Sequence, residues 1–129
     1  MVIDTSALIA VLFDEAERAT FVDLLAADPR RLVSAGTLLE LGLVVEARRG
    51  EAAGREPDLL LHRLGVTVVP VDEAQVRVAR SGWRRFGKGR HEAGLNLGDC
   101  FAFALSRLTG EPLLFKGDDF GLTDVAAAH

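Results

Sequence analysis

The stretch "NLGDCFAFALSRLTGEPLLFKGDDF", residues 96–120, places a helix, a strand and three aspartates in close succession. From Cys100 onward its spacing is typical of a helix with one apolar face, and "PLLF" at 112–115 predicts a strand. Asp99 stands where the helix begins, and Asp118 and Asp119 follow the strand. A carboxylate at the mouth of an apolar helix is either a cap or a group held for chemistry, and both interpretations stay open here.

The rest of the chain alternates in the same way. Apolar runs at 1–3, 31–35 and 66–70 predict strands, and helical spacing occurs at 6–13, 15–27, 37–48, 58–64 and 73–86. A short polar tail follows the last strand. This alternation favours the α/β class, with a parallel sheet covered by helices. No repeat, low-complexity tract or long linker divides the sequence, so residues 1–129 are expected to form one domain.

Composition excludes several classes of protein. Hydrophobic residues make up 49% of the chain and charged residues 26%, as in soluble globular proteins and unlike disordered ones. No apolar run approaches the ~20 residues of a membrane span, and "MVIDTSALIAVLF" lacks the basic start of a signal peptide. The single cysteine cannot form an internal disulfide, which suits a reducing cytoplasm. Because the net charge is −4, a polyanionic partner would need a local basic patch or a bound cation.

Acids gather at one predicted edge of the sheet. In parallel sheets, sites form beyond the carboxyl ends of the strands. Asp4 ends the first strand, and Glu40 lies in the predicted first turn of the helix after the second strand. Asp99 lies in the first turn of its helix, and Asp118 and Asp119 follow the last strand. A compact sheet would bring these carboxylates together.

Each acid also has a purely structural interpretation. Thr37 and Glu40 have the spacing of a capping box, and Asn96 and Asp99 could form a similar pair. Asp4 could cap the helix that follows it, and the acids after the last strand could be turn residues. Caps and turns do not explain why apolar runs flank most of these acids.

Repulsion between gathered carboxylates points to a bound cation. Two carboxylates ~4 Å apart repel by about 4 kcal/mol at an effective dielectric constant near 20. Several of them in one crevice therefore need raised pKa values or a cation. An all-oxygen ligand set without His or Cys selects a hard ion, which makes Mg²⁺ the expected cofactor and Mn²⁺ a possible substitute. Such an ion activates water and neutralises charge on a phosphate oxygen, which suggests hydrolysis of a phosphodiester.

Four segments carry a family resemblance, in order, over about residues 1–120. They are "MVIDTSALIAVLFDE", "RLVSAGTLLELGLVVEARRG", "VTVVPVD" and "GRHEAGLNLGDCFAFALSRLTGEPLLFKGDDF". They resemble PIN-domain ribonucleases of the VapC toxin type. The resemblance implies an α/β/α sandwich with a mostly parallel central sheet and Mg²⁺-dependent cleavage of RNA. It also implies a cognate VapB-type antitoxin that blocks the toxin, and a homodimer, with no membrane partner.

Carried over residue by residue, the resemblance assigns roles to the acids. Asp4 and Asp99 match the metal-binding acids of the family, and Glu40 matches the acid that helps to hold the metal or its water. Ser6, or alternatively Thr5, matches a small hydroxyl that orients the first carboxylate.

The C-terminal acid departs from the family pattern. Many members have Asp, one residue, then Asp-Phe after the last strand, whereas here Gly117 takes the earlier position. Asp119, directly before Phe120, matches the later acid, and Asp118 is its rival as the fourth acid. The expected catalytic set is therefore Asp4, Glu40, Asp99 and Asp119.

The segment "WRRFGKGRH", residues 83–91, allows two interpretations. It could be an RNA track, with cations on the phosphate backbone and an aromatic ring for stacking. It could equally be a solvated helix end whose rings pack inward. Lys116 could reach a phosphate or simply offset nearby carboxylates, and the three histidines show no ligand spacing. The rings and cations of the 83–91 segment are Trp83, Arg84, Arg85, Phe86, Lys88 and Arg90.

Two other function classes compete with a nuclease. A phosphoacceptor domain of the receiver type would need an acidic pair near the end of the first strand and an acceptor Asp after a central strand. Asp4 has no acidic neighbour, and Asp72 follows "VTVVP" only beyond a proline. A catalytically silent binding module that keeps the fold would not need the intact set of acids.

Overall fold

The computed structural model describes residues 1–129 and contains one four-stranded sheet. The strands are β1 (Val2–Ile3), β2 (Leu32–Ser34), β3 (Thr67–Val69) and β4 (Leu113–Leu114). Their order is β3-β2-β1-β4, and every neighbouring pair is parallel. The helices are α1 (Thr5–Leu12), α2 (Arg18–Ala27), α3 (Ala35–Arg49), α4 (Glu56–Arg63), α5 (Glu73–Phe86) and α6 (Leu97–Thr109). Short 3₁₀ turns lie at Glu51–Arg55 and Asp119–Leu122.

Strands β1, β2 and β4 are buried on both faces of the sheet, whereas the edge strand β3 is largely exposed. Successive residues of a strand point to opposite faces. One hydrophobic cluster joins one face to α1, α2, α3 and α4, and a second joins the other face to α6 and α5. The strand residues divide between the clusters by alternation: Ile3, Val33 and Leu114 in the first, Val2, Leu32 and Leu113 in the second. This arrangement confirms the predicted α/β/α sandwich.

Two glycines let α6 approach its neighbours closely. A Cβ at Gly82 of α5 would overlap the ring of Phe103, and a Cβ at Gly36 of α3 would overlap the ring of Phe101. Both rings belong to α6, so this helix is wedged against α3 on one side and α5 on the other. The start of α6 is thereby fixed at the carboxyl-end edge of the sheet.

Helix α3 begins earlier than predicted, which corrects the placement of one acid. Ser34, the last residue of β2, caps it by accepting the N–H of Gly36 at 3.2 Å. Glu40 therefore lies in the second turn of α3, not in the first. The predicted capping box of Thr37 and Glu40 is wrong, because the cap is Ser34 and the helix begins at Ala35, two residues earlier than expected.

The chain after the last strand is not a free polar tail. The N–H of Leu113 donates to the carbonyl of Ala126 at 2.8 Å, and the N–H of Ala128 donates back to Leu113 at 2.9 Å. The terminal residues thus cover the outer edge of β4, and His129 stacks edge-on against Phe21 and Phe115. None of the helices combines the length and the apolar composition that a bilayer-crossing segment needs.

Candidate functional site

Asp4 follows β1 directly and caps α1 with only one of its two carboxylate oxygens. Its Oδ2 accepts the backbone N–H of Ser6 at 3.0 Å and the Ser6 hydroxyl at 2.6 Å. Its Oδ1 is buried and has no hydrogen-bond partner. The cap interpretation is therefore confirmed for Oδ2. Oδ1 is a buried acceptor without a donor, which costs free energy unless a ligand binds it.

The two hydroxyls after Asp4 orient different acids. Ser6 donates to Asp4 and accepts the N–H of Lys116 at 2.9 Å, which ties the loop after β4 to the first acid. Thr5 instead donates to Oε1 of Glu40 at 2.5 Å. The sequence left Ser6 and Thr5 as alternatives for one role, and the structure gives each its own carboxylate.

Glu40 reaches the same edge from the second turn of α3. Its carboxylate lies directly against the backbone of Gly98, so closely that a Cβ there would overlap it. Gly98 therefore allows α6 to begin beside Glu40. Sequence reasoning missed this glycine, although its position between Asn96 and Asp99, inside a helix start, was the available signal.

Asp99 forms the predicted capping box with Asn96. The Asn96 N–H donates to Oδ2 of Asp99 at 3.0 Å, and the Asp99 N–H donates to Oδ1 of Asn96 at 2.9 Å. The side chain is half-buried and lines the same cleft, of about 510 Å³, as Asp4 and Glu40. Asp99 is thus a helix cap and also a member of the acidic group.

Burial and neighbouring charges change the pKa of two of these carboxylates, Asp4 and Asp99. Burial raises the pKa of Asp4 from its ordinary value of 3.8 to about 7; the Ser6 hydrogen bonds oppose this rise, and the charges of Asp99 and Glu40 add to it. Burial also raises the pKa of Asp99, with the Asn96 N–H opposing and the charges of Glu40 and Asp119 adding. The cleft therefore holds carboxylates that resist full ionisation.

The fourth acid lies at the margin of this cleft. Asp118 and Asp119 are both exposed, and neither lines the cleft itself. Asp119 begins the 3₁₀ turn after β4, and its charge contributes to the raised pKa of Asp99. Of the two rivals, Asp119 is therefore the one coupled to the acidic group.

The donor set suits a hard divalent cation. It consists of carboxylate and hydroxyl oxygens, and one carboxylate oxygen of Asp4 is buried without a donor. As the side chains lie, no three His, Cys, Asp or Glu groups are close enough together to hold one ion. Asp4, Glu40 and Asp99 therefore share a cleft but do not form a closed ligand cage.

The basic residues near the cleft divide into paired and unpaired ones. Lys116 binds Glu15 at 3.0 Å and Glu17 at 3.2 Å, and these hydrogen bonds raise its pKa. Lys116 thus offsets carboxylates, the second of its predicted roles. Arg48 lines the cleft and has no carboxylate partner.

The structural interpretation of the 83–91 segment holds for only one of its two rings. Phe86 packs inward against Phe103, as the structural interpretation expects. Trp83, in contrast, remains 43% exposed. Asp72, the residue that a phosphoacceptor mechanism would require, caps α5 by accepting the Gln75 N–H and is absent from the cleft.

The chain is similar to known proteins over almost its whole length. A model of the PIN domain family matches residues 1–126. The Ribonuclease VapC of Mycolicibacterium smegmatis is 55% identical over 129 residues, which cover the whole of both chains. Ribonuclease VapC30 of Mycobacterium tuberculosis is 54% identical over 126 residues, which cover 98% of this chain and 96% of that protein.

Solved structures share the fold at lower identity. VapC20 of Mycobacterium tuberculosis, a Sarcin-Ricin loop cleaving toxin, superposes with a TM-score of 0.78 at 22% identity, covering 97% of this chain and 95% of that one. A toxin–antitoxin complex from Klebsiella pneumoniae gives a TM-score of 0.68 at 18% identity, covering 99% and 97%. Family model, sequence relatives and fold agree, and the chain belongs to the PIN-domain family, in its VapC group.

Proposed function

We propose that this chain is a Mg²⁺-dependent endoribonuclease toxin that hydrolyses phosphodiester bonds in RNA. The observation that carries the proposal is the unpartnered buried oxygen of Asp4 in a cleft that Glu40 and Asp99 also line. The relatives named as VapC ribonucleases support the reaction class. Mn²⁺ would substitute for Mg²⁺, because it accepts the same oxygen ligands.

In this proposal the acids have separate roles. Asp4 and Asp99 would hold the metal, and Glu40 and Asp119 would orient the attacking water by accepting its hydrogen bonds. A bound Mg²⁺ supplies Lewis-acid chemistry, lowering the pKa of water and neutralising charge on the phosphate.

The hydrogen bonds of the chain keep these acids in place. Ser6 fixes Asp4, Asn96 fixes Asp99, and Thr5 fixes Glu40. Groups fixed before the reaction need no reorganisation during it, which is the main advantage of such a site.

The proposal extends to the biological setting. Residues 1–129 act as one domain in the cytoplasm, as a homodimer, and a cognate VapB-type antitoxin blocks the cleft. A cationic side chain of that antitoxin would suit the unpaired oxygen of Asp4 in place of the metal. The mass of the purified chain in solution tests the dimer.

RNA digestion tests the proposed reaction. We expect the purified chain to cut total RNA in Mg²⁺ or Mn²⁺, to be inactive in EDTA, and to regain activity when Mg²⁺ is added in excess. Sequencing of the new RNA ends identifies the cleaved bond. Equal cleavage in EDTA, or no cleavage with either metal, would contradict the proposal.

Gly98→Ala should damage the site by displacing the Glu40 carboxylate. The new Cβ would occupy the volume of that carboxylate, so Glu40 must leave its bond to Thr5 or α6 must shift. Because a misplacement of ~1 Å can cost on the order of a hundredfold in rate, we expect a loss of at least about tenfold in cleavage. The free energy of unfolding should fall by about 1–3 kcal/mol, as for other overpacked sites.

Gly42→Ala is the matched control. A Cβ at Gly42 meets nothing within 4 Å, and the residue lies inside α3. This variant should gain up to about 1 kcal/mol of stability from helix propensity and cleave like the parent. Cleavage rates and urea unfolding of both variants test these two expectations. If Gly98→Ala cleaved RNA as fast as the parent, the position of the Glu40 carboxylate would be unimportant for the reaction.

A further inference from the structure

A groove of about 650 Å³ separates α5 from the start of α6, outside the acidic cleft. Its floor is apolar and unusually open to solvent: Val76 is 44% exposed, Trp83 43% and Leu97 77%. Ala79, Cys100 and Phe101 complete this floor. On α5 the floor residues recur at helical spacing, so one face of the helix presents them together.

Three arginines on the rim of this groove have no carboxylate partner. They are Arg80, Arg84 and Arg90. The Arg90 guanidinium lies 4.7 Å from the centre of the Trp83 ring, and its Nε donates to the Arg84 carbonyl at 3.2 Å. One hydrogen bond and one ring face thus hold the guanidinium, which leaves its terminal N–H groups free to bind an anion.

Other arginines of the same helix are neutralised. Arg77 pairs with Glu73 at 3.6 Å, and Arg85 pairs with Asp124 at 2.8 Å. The positive charge left without a partner on α5 is therefore concentrated beside the groove. An apolar floor bordered by free guanidinium groups complements a ligand that has both flat rings and negative charge.

The groove and the acidic cleft meet at the first turn of α6. Asn96 and Asp99 line the cleft, whereas Leu97 and Phe101 line the groove. A helix with its side chains is only about 10–12 Å across. A single extended strand could therefore lie in both.

We infer that this groove binds the nucleotides of single-stranded RNA next to the scissile bond, with a base on the Trp83 side of the floor and phosphates on the three arginines. The inference rests on the proposed function and names a substrate subsite for it. Bases stack on aromatic side chains and guanidinium planes, and phosphates bind guanidinium groups. A second copy of the chain docked on this groove about a two-fold axis would bring its own three unpaired arginines to the same positively charged patch, which disfavours that occupant.

Tryptophan fluorescence gives a direct test. Trp83 is the only tryptophan and the chain has no tyrosine, so ultraviolet-excited indole emission reports on this groove alone. The parent is titrated in EDTA with a short single-stranded RNA of mixed sequence, and the same RNA carries a dye for a parallel anisotropy measurement. We expect saturable quenching of Trp83 at the RNA concentration at which anisotropy rises.

Charge-matched double variants separate the groove from general electrostatics. Arg80→Ala/Arg84→Ala should weaken RNA binding about tenfold or more at low salt and reduce the salt slope of log affinity by about 1.4. Arg77→Ala/Arg85→Ala removes the same charge from paired positions and should leave quenching almost unchanged. In Mg²⁺, the first pair should raise the KM for RNA with little change in kcat.

The outcomes distinguish this inference from the nuclease proposal. RNA binding without quenching, or equal effects of the two double variants, would overturn the groove assignment while cleavage by the parent still stands. Emission that changes when the protein alone is diluted would also overturn it, because the groove would then be an interface between copies. Quenching and arginine dependence in a chain that cleaves no RNA would support the groove and reject the nuclease.

Discussion

Asp99→Asn is expected to lower RNA cleavage at least about a hundredfold while leaving the start of α6 intact. The asparagine oxygen can still accept the Asn96 N–H, so the capping box remains and only the negative charge is lost. Removal of one preorganised electrostatic group from an active site costs on the order of 10²–10³ in rate. Cleavage rates over a series of Mg²⁺ concentrations, with thermal unfolding of the same samples, measure both parts of the prediction.

Asn96→Ala is the complementary control. This variant removes the cap acceptor and keeps the Asp99 carboxylate, so the free energy of unfolding should fall by about 1 kcal/mol. Its cleavage rate should fall less than that of Asp99→Asn. The two variants together separate capping from chemistry. If Asp99→Asn cleaved like the parent, Asp99 would be a helix cap and nothing more.

Asp4→Asn is expected to stabilise the metal-free protein at about pH 8, by an amount on the order of 4 kcal/mol at most. The pKa of Asp4 is about 7 in the folded chain and has its ordinary value of 3.8 in the unfolded chain. The folded state therefore binds the Asp4 proton more tightly than the unfolded state does. The free energy of unfolding that this proton contributes is lost as the pH rises from 3.8 through about 7. Above that range the buried carboxylate is ionised and its Oδ1 has no donor, whereas an asparagine carries no charge.

Urea unfolding in EDTA tests the direction of this change in stability with pH. Between about pH 5 and pH 8 the parent should lose more stability than Asp4→Asn, because only the parent titrates at this position. Added Mg²⁺ should then restore the parent and not the variant, since a ligand that binds only the folded state stabilises it. A variant that is less stable than the parent in EDTA at the higher pH would show that Asp4 is held mainly by its Ser6 hydrogen bonds.

Local patterns were sufficient for the framework and for part of the site. Strands buried on both faces read as continuous apolar runs, so β1, β2 and β4 were predictable, and with them Asp4 at a strand end. Asn96 and Asp99 form their box within one turn, and such contacts are visible in sequence. The parallel sheet then brings the strand ends together as expected.

Contacts between distant segments were not predictable in the same way. Ser34 outcompeted Thr37 as the cap of α3, because β2 ends one residue before the helix begins. The contact between Gly98 and Glu40 depends on how α6 packs on α3, for which no local pattern exists. The same holds for the 83–91 segment. Arg85 is paired because Asp124 lies beside it, and Phe86 is buried because Phe103 packs against it, and both partners come from distant parts of the sequence.

The position of β4 beside β1 has a consequence for the timing of synthesis. Strand β1 leaves the ribosome before this neighbour and pairs with it only after residues 113–114 have emerged, and the Lys116 N–H that supports Ser6 arrives later still. A nascent chain therefore carries its acids but not the assembled cleft. On the proposed function, the translating ribosome, itself made largely of RNA, is not exposed to a working nuclease until the segment up to Lys116 has emerged.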